Sequence, residues 1–427
     1  MKKKILIPII LIIIIALIIG SVIYTKTKKE AKKDYKTYNI YIMEDTLPTL
    51  FANMDMVHQK DVPSYVWYQR KDTLDNEYLK NMFSNLVLSE HIGDGNAQNF
   101  RDTIKPEIQD YVNKALQDEA KARFNIYVTA EYYWMEILAI EELGIPEDQI
   151  NVTMYSCGTV DYVFNQEITK ADKYETFLHE KERFDKMLKE VRSGKYKDSE
   201  DVSYFNKEKS SAKDSNYILL NSLRKNVVYY LQFPELITFE DPQVKECMDK
   251  SNMRKIVVKE KFNSLTDDEK ADFFRCVKLD KKEFDEKYFN SEKGKYLIIT
   301  GTRPFYGKYS RNDFENLIEQ VYNKYKDEYK ILFKPHPKAV PTEEQTAMLA
   351  EFNIDVLPAQ LPMEAITFVY DNIKLGGVAS SLYMSVEKGD TLFFFESNKD
   401  NLVEPLNVLY EDLFDGSELM IPGKNWI

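Results

Sequence analysis

The sequence predicts an α/β protein made of two doubly wound domains that face a cleft, preceded by one N-terminal transmembrane helix. Its length of 427 residues exceeds what one ordinary core supports and favours two domains. Short apolar segments alternate with segments of helical period in both halves, which is typical of parallel sheets wound by crossover helices. An apolar run of about 20 residues precedes all of them.

The apolar run extends from Ile5 to Tyr24 and follows three lysines. It is long enough to cross a hydrocarbon core as a helix. Neither a small-residue cleavage site nor a cysteine that could be lipidated accompanies it. Residues 1–36 are therefore predicted to be an uncleaved anchor and a charged stalk. More lysines follow the run than precede it, which favours a single-pass membrane protein whose globular part is cytoplasmic.

Residues 37–224 are predicted to form the first domain. Strands are expected at residues 37–45, 64–69, 124–130 and 150–156, and helices at residues 46–57, 104–122 and 132–143. A charged segment of helical spacing follows at residues 166–195, and the polar stretch after it is typical of a surface loop or linker. The domain boundary is placed after that stretch.

Residues 225–400 are predicted to form the second domain, and residues 401–427 a C-terminal segment that returns to the first. Strands are expected at residues 296–300, 330–335, 354–359, 373–378 and 391–397. Helices are expected between them, at residues 313–329, 343–352, 363–372 and 380–389. In doubly wound domains the ligand binds at the carboxyl ends of the strands, so the cleft between the two domains is the predicted site.

Composition excludes several function classes. The formal net charge of −12 gives no electrostatic footprint for nucleic acid. The three cysteines and four histidines are widely separated, which argues against a disulfide framework and against a metal cluster. No metal or other cofactor is predicted. An anionic ligand would have to be bound locally, by backbone amides or a few side chains.

The stretch "GGVASS" ends the fourth strand of the second domain. Glycines such as Gly376 and Gly377 let a backbone approach a ligand closely. Ser380 and Ser381 stand where a helix is expected to begin, so their hydroxyls could cap that helix or bind an anion there. From these residues alone, both a simple N-cap and a phosphate cradle remain open.

Three further motifs stand at strand ends in the same domain. "KPHPK" contains Lys334, His336 and Pro337, and the proline favours an extended backbone at the histidine. A histidine there could protonate a phosphate leaving group, or it could be an ordinary loop residue. Glu364 opens a helix, where it could compensate the helix dipole or accept hydrogen bonds from a ribose.

The third motif is "TGTRPF", which follows the first strand of the second domain. Gly301 permits a tight exit from the strand, and Thr302 offers a hydrogen-bond donor. Phe305 could present a stacking face to a ligand or lie in the core.

The order and spacing of these motifs resemble the bacterial sialyltransferases of glycosyltransferase family 80. The resemblance extends from "SLTDDEKADFF" through "ITGTRPF", "FKPHPK", "LPMEA" and "KLGGVASSLYMS" to "FFFESNKD", and more faintly to "INVTMYSCGTVDYV" and "IYIMEDTLPTL". It implies a GT-B fold of two Rossmann-like domains. It also implies that the first domain faces the acceptor, that the second binds CMP-sialic acid, and that the membrane is a bacterial cell membrane.

The resemblance implies roles for individual residues. Ser380 and Ser381 match the pair that binds the CMP phosphate, and His336 matches the histidine that assists departure of the phosphate. Lys334 and Glu364 match the residues that hold the cytosine side and the ribose. The neighbouring donor-site positions are Pro337, Gly301 and Thr302, and the acceptor-site positions are Phe305 and Gly158.

One position departs from the family pattern. The general base of the family is the second aspartate of Tyr-Asp-Asp-Gly, and here the corresponding stretch is Tyr155-Ser156-Cys157-Gly158. Cys157 is a poor substitute because a thiol ordinarily titrates near ~8.5. Asp161 stands where the family has a glutamate and could act through a water molecule. Replacement of the base, changed chemistry and loss of activity all remain open.

The resemblance therefore predicts an inverting glycosyltransferase that passes sialic acid from CMP-sialic acid to a glycan acceptor on a surface polysaccharide or lipooligosaccharide. Two alternatives remain. One is a catalytically silent relative that binds CMP or the CMP-sugar. The other is a GT-B transferase for another nonulosonic acid or nucleotide sugar.

Overall fold

The computed structural model describes most of the chain after its N-terminal stretch. The described residues are 35–93, 100–118, 121–130, 140–158, 160–163, 166–194, 216–301, 311–402 and 406–421. Two parallel sheets organise them, one of seven strands and one of six. The prediction of two doubly wound α/β domains is confirmed.

The first sheet has the strand order β3-β2-β1-β4-β5-β6-β7. Its strands are β1 (Lys36–Met43), β2 (Ser64–Tyr68), β3 (Leu86–Leu88), β4 (Ala122–Thr129), β5 (Ile150–Tyr155), β6 (Val227–Leu231) and β7 (Met253–Lys255). The order reverses between β1 and β4, where Ile40 pairs with both Tyr65 and Ile126. That reversal opens a crevice at the carboxyl ends of β1 and β4, which is where such sheets bind ligands.

Helices cover both faces of this sheet. They are Thr46–His58, Asn76–Met82, Lys105–Asp118, Val160–Val163, Gln166–Thr169, Tyr174–Arg192, Asn216–Asn221, Pro242–Met248, Val258–Asn263 and Asp267–Cys276. Every residue of β2 is buried, which fits a strand enclosed on both faces by crossover helices.

The second sheet has the order β10-β9-β8-β11-β12-β13. Its strands are β8 (Tyr296–Thr300), β9 (Lys330–Lys334), β10 (Asp355–Val356), β11 (Ile373–Gly377), β12 (Thr391–Phe394) and β13 (Glu418–Leu419), and its helices are Lys281–Tyr288, Arg311–Tyr325, Glu343–Glu351, Met363–Val369 and Tyr410–Leu413. Alternate residues of β8 enter different cores. Ile298 joins a core that is continuous with the first domain, and Leu297 joins a second core on the other face.

The predicted domain boundary near residue 225 needs correction. Strands β6 and β7 follow it but belong to the first sheet, and the second sheet begins only at Tyr296. The helix Asp267–Cys276 also packs on the first domain, where Glu269 contacts His58 at 2.9 Å and Asp272 accepts a hydrogen bond from Tyr78 at 2.8 Å. The change of domain therefore lies between residues 276 and 296.

The C-terminal segment does not return to the first sheet in its described part. Residues 406–421 place β13 beside β12, and the Met420 amide donates to the Phe394 carbonyl at 2.9 Å. This pairing keeps the described residues 406–421 in the second domain and corrects the prediction for them, whereas residues 422–427 lie outside the described residues.

The predicted anchor at residues 5–24 lies outside the described residues. Within the part of the chain that the structure describes, no helix is both long enough and apolar enough to span a bilayer. The longest of these helices, Tyr174–Arg192, has 19 residues and is rich in charged side chains, whereas a spanning helix needs about 20 apolar ones. The predicted single-pass membrane localisation is corrected on this finding.

Candidate active site

The carboxyl ends of the two sheets meet at one point. The loop after β5 reaches the corner after β11, because a Cβ added at Gly158 would lie 3.5 Å from the Ser381 carbonyl oxygen and 3.7 Å from the Met384 Cβ. Gly158 has a φ of +115°, a backbone conformation that side-chain-bearing residues rarely adopt. The tight turn brings a loop of the first domain, predicted to face the acceptor, against the predicted phosphate site of the second.

The two glycines of that corner have packing roles. A Cβ at Gly376 would lie 2.4 Å from the Phe393 ring, and one at Gly377 would lie 2.4 Å from the Thr300 carbonyl oxygen. Glycine is thus required for β11 to lie between β8 and β12. The predicted close approach exists, but it is an approach of strand to strand.

The two serines after these glycines stand at the start of a 3₁₀ segment, Ser381–Ser385, where the sequence predicts a longer α-helix. The Ser380 side chain makes no capping hydrogen bond. Instead, the segment is anchored by Tyr383, which is fully buried and whose hydroxyl lies 2.7 Å from the Thr300 Oγ1. The simple N-cap interpretation of Ser380 is therefore excluded, and the serine hydroxyls are not used to hold the corner.

His336 follows β9 and is partly exposed. Its Nδ1 accepts a hydrogen bond from the Lys338 amide at 3.0 Å. In the neutral ring this bond assigns the proton to Nε2. The loop therefore fixes the ring orientation and makes the other nitrogen a proton donor.

Lys334 ends β9 and is 4% exposed. Its ammonium donates to the Pro335 and Ala359 carbonyl oxygens, each at 2.9 Å, so it ties β9 to the loop after β10. Burial lowers the pKa of Lys334 to about 8, and the nearby Glu364 carboxylate opposes that change. The Lys334 carbonyl in turn accepts from the Gly301 amide at 3.0 Å, which joins the ends of β8 and β9.

Glu364 lies in the first turn of the helix Met363–Val369. Burial raises the pKa of Glu364. The helix amide of Glu364 and the Lys334 ammonium oppose the rise, and the Asp45 carboxylate of the first domain adds to it. Glu364, Lys334 and Asp45 thus form one electrostatic cluster that spans the cleft.

The loop after β5 is held by a buried carboxylate. Asp161 is fully buried, and its Oδ2 accepts from the Ser156 hydroxyl at 2.8 Å and from the Cys157 amide at 2.9 Å. The Cys157 thiol lies 3.4 Å from the same oxygen, and the Tyr229 hydroxyl donates to Oδ1. Burial raises the pKa of Asp161, and these hydrogen bonds oppose the rise.

This geometry assigns structural roles to both residues predicted as base candidates. The Cys157 thiol points at the Asp161 carboxylate and donates a hydrogen bond to it. Asp161 is enclosed by the loop that it holds, which favours a structural role over the predicted role through a water molecule. A buried carboxylate with four donors around it stabilises the turn.

Two of the remaining predicted site residues lie within the described residues and two lie outside them. Pro337 is exposed beside His336, and Gly301 is buried at the end of β8. Thr302 and Phe305 lie outside the described residues. Sequence reasoning missed Asp45, whose position directly after a strand and before a helix was a usable signal. It also missed Tyr229 and Tyr383, for which no short-range signal exists.

A sialyltransferase family model described as "Sialyltransferase PMO188" matches residues 148–415, well over half of the chain. The match includes the loop after β5 and every described residue of the second domain that was predicted to bind the donor. The protein belongs to this sialyltransferase family. It is accordingly a glycosyltransferase, and the family resemblance stated from its motifs is confirmed.

Solved structures with the same architecture agree with the fold of this sialyltransferase. An α/β-galactoside α-2,3-sialyltransferase of Photobacterium phosphoreum is 17% identical with a TM-score of 0.64, and covers 90% of this chain and 98% of its own. The GT-B domain of a Photobacterium damselae sialyltransferase is 19% identical with a TM-score of 0.61, and covers 89% and 96%. The predicted GT-B fold is confirmed.

A third related structure carries ligands. The 2,6-sialyltransferase of Photobacterium sp. JT-ISH-224, in a ternary complex with the donor product CMP and the acceptor lactose, is 16% identical with a TM-score of 0.58. It covers 88% of the sialyltransferase chain and 76% of its own. A comparison with curated protein sequences found no match.

In the described part of this sialyltransferase, no group of three or more His, Cys, Asp or Glu side chains is arranged to hold a metal ion. That the enzyme needs no metal stays a prediction.

Proposed function

We propose that this sialyltransferase transfers sialic acid from CMP-sialic acid to a sugar acceptor with inversion at the anomeric carbon. The observation that favours it most is the corner after β11. Two serine side chains stand there without a capping role, opposite the acceptor-side loop at Gly158. Family membership supports the choice of donor, and the ternary complex of the related enzyme with CMP and lactose supports both ligands.

The proposed donor site uses five side chains of the second domain. The hydroxyls of Ser380 and Ser381 donate to the phosphate, and the Nε2–H of His336 protonates the phosphate oxygen as the bond to the sugar breaks. Glu364 accepts from the ribose hydroxyls. Lys334 fixes the loop that faces the cytosine of the donor, since its ammonium is already bound to two carbonyl oxygens.

The proposed acceptor site lies on the first domain, at the carboxyl ends of β1, β4 and β5. The turn at Gly158 sits directly opposite Ser381, so an acceptor hydroxyl held there would face the anomeric carbon of a donor whose phosphate is bound at the serines. Gly158, Thr302 and Phe305 remain proposed contacts for the substrates. The acceptor is proposed to be a glycan of a surface polysaccharide or lipooligosaccharide.

The proposal is tested by comparing nucleotides. The full-length chain should bind CMP more tightly than UMP or GMP in calorimetry, and should release CMP from CMP-sialic acid faster when lactose is added. Equal affinity for the three nucleotides would favour a GT-B transferase for a different donor. Tight CMP binding with no release under any acceptor would favour the silent binding protein.

A further inference from the structure

An inverting transfer needs a group that removes the proton of the attacking hydroxyl. The loop after β5 supplies none, because the Cys157 thiol donates to Asp161 and the Asp161 oxygens are enclosed by the loop itself. A base must therefore come from another strand end of the first domain that faces the donor site.

Asp45 stands at such a strand end. It follows β1 where the strand order reverses, and the neighbouring Glu44 amide donates to the Thr129 Oγ1 of β4 at 2.9 Å, which fixes the two strand ends together. The Asp45 side chain is half-buried, with 29% of its surface exposed. Its Oδ1 accepts from the Thr46 amide at 2.8 Å and lies 3.7 Å from the Arg70 Nε. Its Oδ2 makes no hydrogen bond within the described residues.

The helix that Asp45 opens packs against the helix that Glu364 opens. The Phe51 ring of the first helix stacks on the Phe368 ring of the second, with centroids 6.2 Å apart and planes 3° apart. The starts of the two helices therefore lie on opposite walls of the same cleft. The effect of the Asp45 charge on the pKa of Glu364 agrees with this placement.

We propose that Asp45 is the general base of this enzyme, taking the role that the aspartate of the β5 loop has in the family pattern; this inference rests on the proposed function. Asp45 Oδ2 accepts the proton of the acceptor hydroxyl. The acceptor oxygen forms its bond to the anomeric carbon, and the bond from that carbon to the CMP phosphate oxygen breaks. The electron pair of that bond goes to the phosphate oxygen, which His336 protonates.

The surroundings of Asp45 suit a base. Burial raises the pKa of Asp45, and the Thr46 amide and the Arg70 guanidinium oppose the rise. A raised pKa strengthens a carboxylate as a proton acceptor. From the other domain, Glu364 is the charged group whose pKa the Asp45 carboxylate affects.

The capping of its helix does not by itself explain why position 45 is an aspartate. Asparagine caps helices about as well as aspartate does, and its side-chain oxygen can keep the bond to the Thr46 amide. The variant Asp45→Asn therefore preserves the cap and removes the base. If Asp45 only caps its helix, Asp45→Asn should keep the wild-type kcat.

The experiment measures transfer from CMP-sialic acid to lactose by the full-length chain. For Asp45→Asn we expect kcat to fall by roughly 10²–10⁴-fold, with unchanged CMP affinity in calorimetry and an unchanged melting temperature. The matched control is Asp75→Asn, since Asp75 also caps a helix, accepting from the Glu77 and Tyr78 amides at 3.0 Å each. This control should keep wild-type turnover.

A second variant separates chemistry from folding. Asp45→Ala removes both cap and base, and its cap loss costs about 1 kcal/mol of stability. If Asp45 is the base, added formate should restore part of the transfer by Asp45→Ala. Wild-type kcat in Asp45→Asn, or a loss of CMP affinity equal to the loss of kcat, would overturn this inference alone. A wild-type chain that transfers nothing would overturn the proposed function with it.

Discussion

The serine pair offers a perturbation whose effect follows directly from the structure. In Ser381→Ala, one proposed hydrogen bond to the CMP phosphate is lost. The corner itself is held by Tyr383 and Thr300, so the substitution leaves the fold intact. A hydrogen bond to a charged group contributes about 1.5–3 kcal/mol. At about 1.4 kcal/mol per factor of ten, CMP should bind roughly 10- to 150-fold more weakly.

Calorimetry with CMP at neutral pH measures this loss, and urea unfolding checks that stability is unchanged. Ser385→Ala is the matched control because Ser385 belongs to the same 3₁₀ segment but donates to the Leu382 carbonyl at 2.7 Å. It should lower stability slightly and leave CMP affinity at the wild-type value. If Ser381→Ala and Ser380→Ala both bind CMP as wild type does, the phosphate-cradle interpretation is refuted.

Three further predictions follow from the same site. His336→Ala should lower kcat by roughly 100-fold or more while CMP affinity in calorimetry changes little; equal losses in both would exclude the acid role. Cys157→Ser should leave kcat nearly unchanged in steady-state assays, because the side chain at this position donates a hydrogen bond, and a collapse of kcat would make the thiol the base. For Lys334, the pKa falls from 10.5 unfolded to about 8 folded, so the unfolded chain binds more protons between these values and stability rises with pH. The free energy of unfolding of wild type relative to Lys334→Met, from urea titrations, should therefore rise by about 3 kcal/mol from pH 7 to pH 10.5; a pH-independent difference would contradict the lowered pKa.

Strands enclosed on both faces were predictable from sequence because each is a short apolar run between turn residues. β1, β5, β8 and β9 were expected within a few residues of their observed bounds. β3, β7, β10 and β13 have only two or three residues each, and β3, β7 and β13, all at or near a sheet edge, were not predicted. Such short strands form because they pair with a neighbouring strand, and a local sequence pattern does not reveal that pairing.

The prediction of the domain boundary was wrong for a related reason. The polar stretch before residue 216 has the composition of a linker, but the chain after it returns to the first sheet as β6 and β7. Composition indicates where a chain is exposed. Sheet membership depends on tertiary pairing, so an exposed insertion within one domain looks the same as a link between two.

Within the site, the described residues recognised by motif follow strands of the second sheet, and their roles stay predictions. The sequence could not show which polar side chains are already used in structural hydrogen bonds. Asp161 looked like a reserve base, but four donors enclose its carboxylate. Asp45 was included only in a predicted strand, and the residue that it influences across the cleft, Glu364, lies more than 300 residues away in sequence. Such long-range proximity emerges only from the packing of Phe51 on Phe368.

The product itself shows most directly whether this enzyme is an inverting sialyltransferase. The full-length chain is incubated with CMP-sialic acid and lactose, and the sugar product is followed by NMR. We expect sialylated lactose that forms only when acceptor is present, at the same rate as CMP appears, and with the anomeric configuration opposite to that of the donor. Retained configuration, or CMP release with no new glycosidic bond, would contradict it.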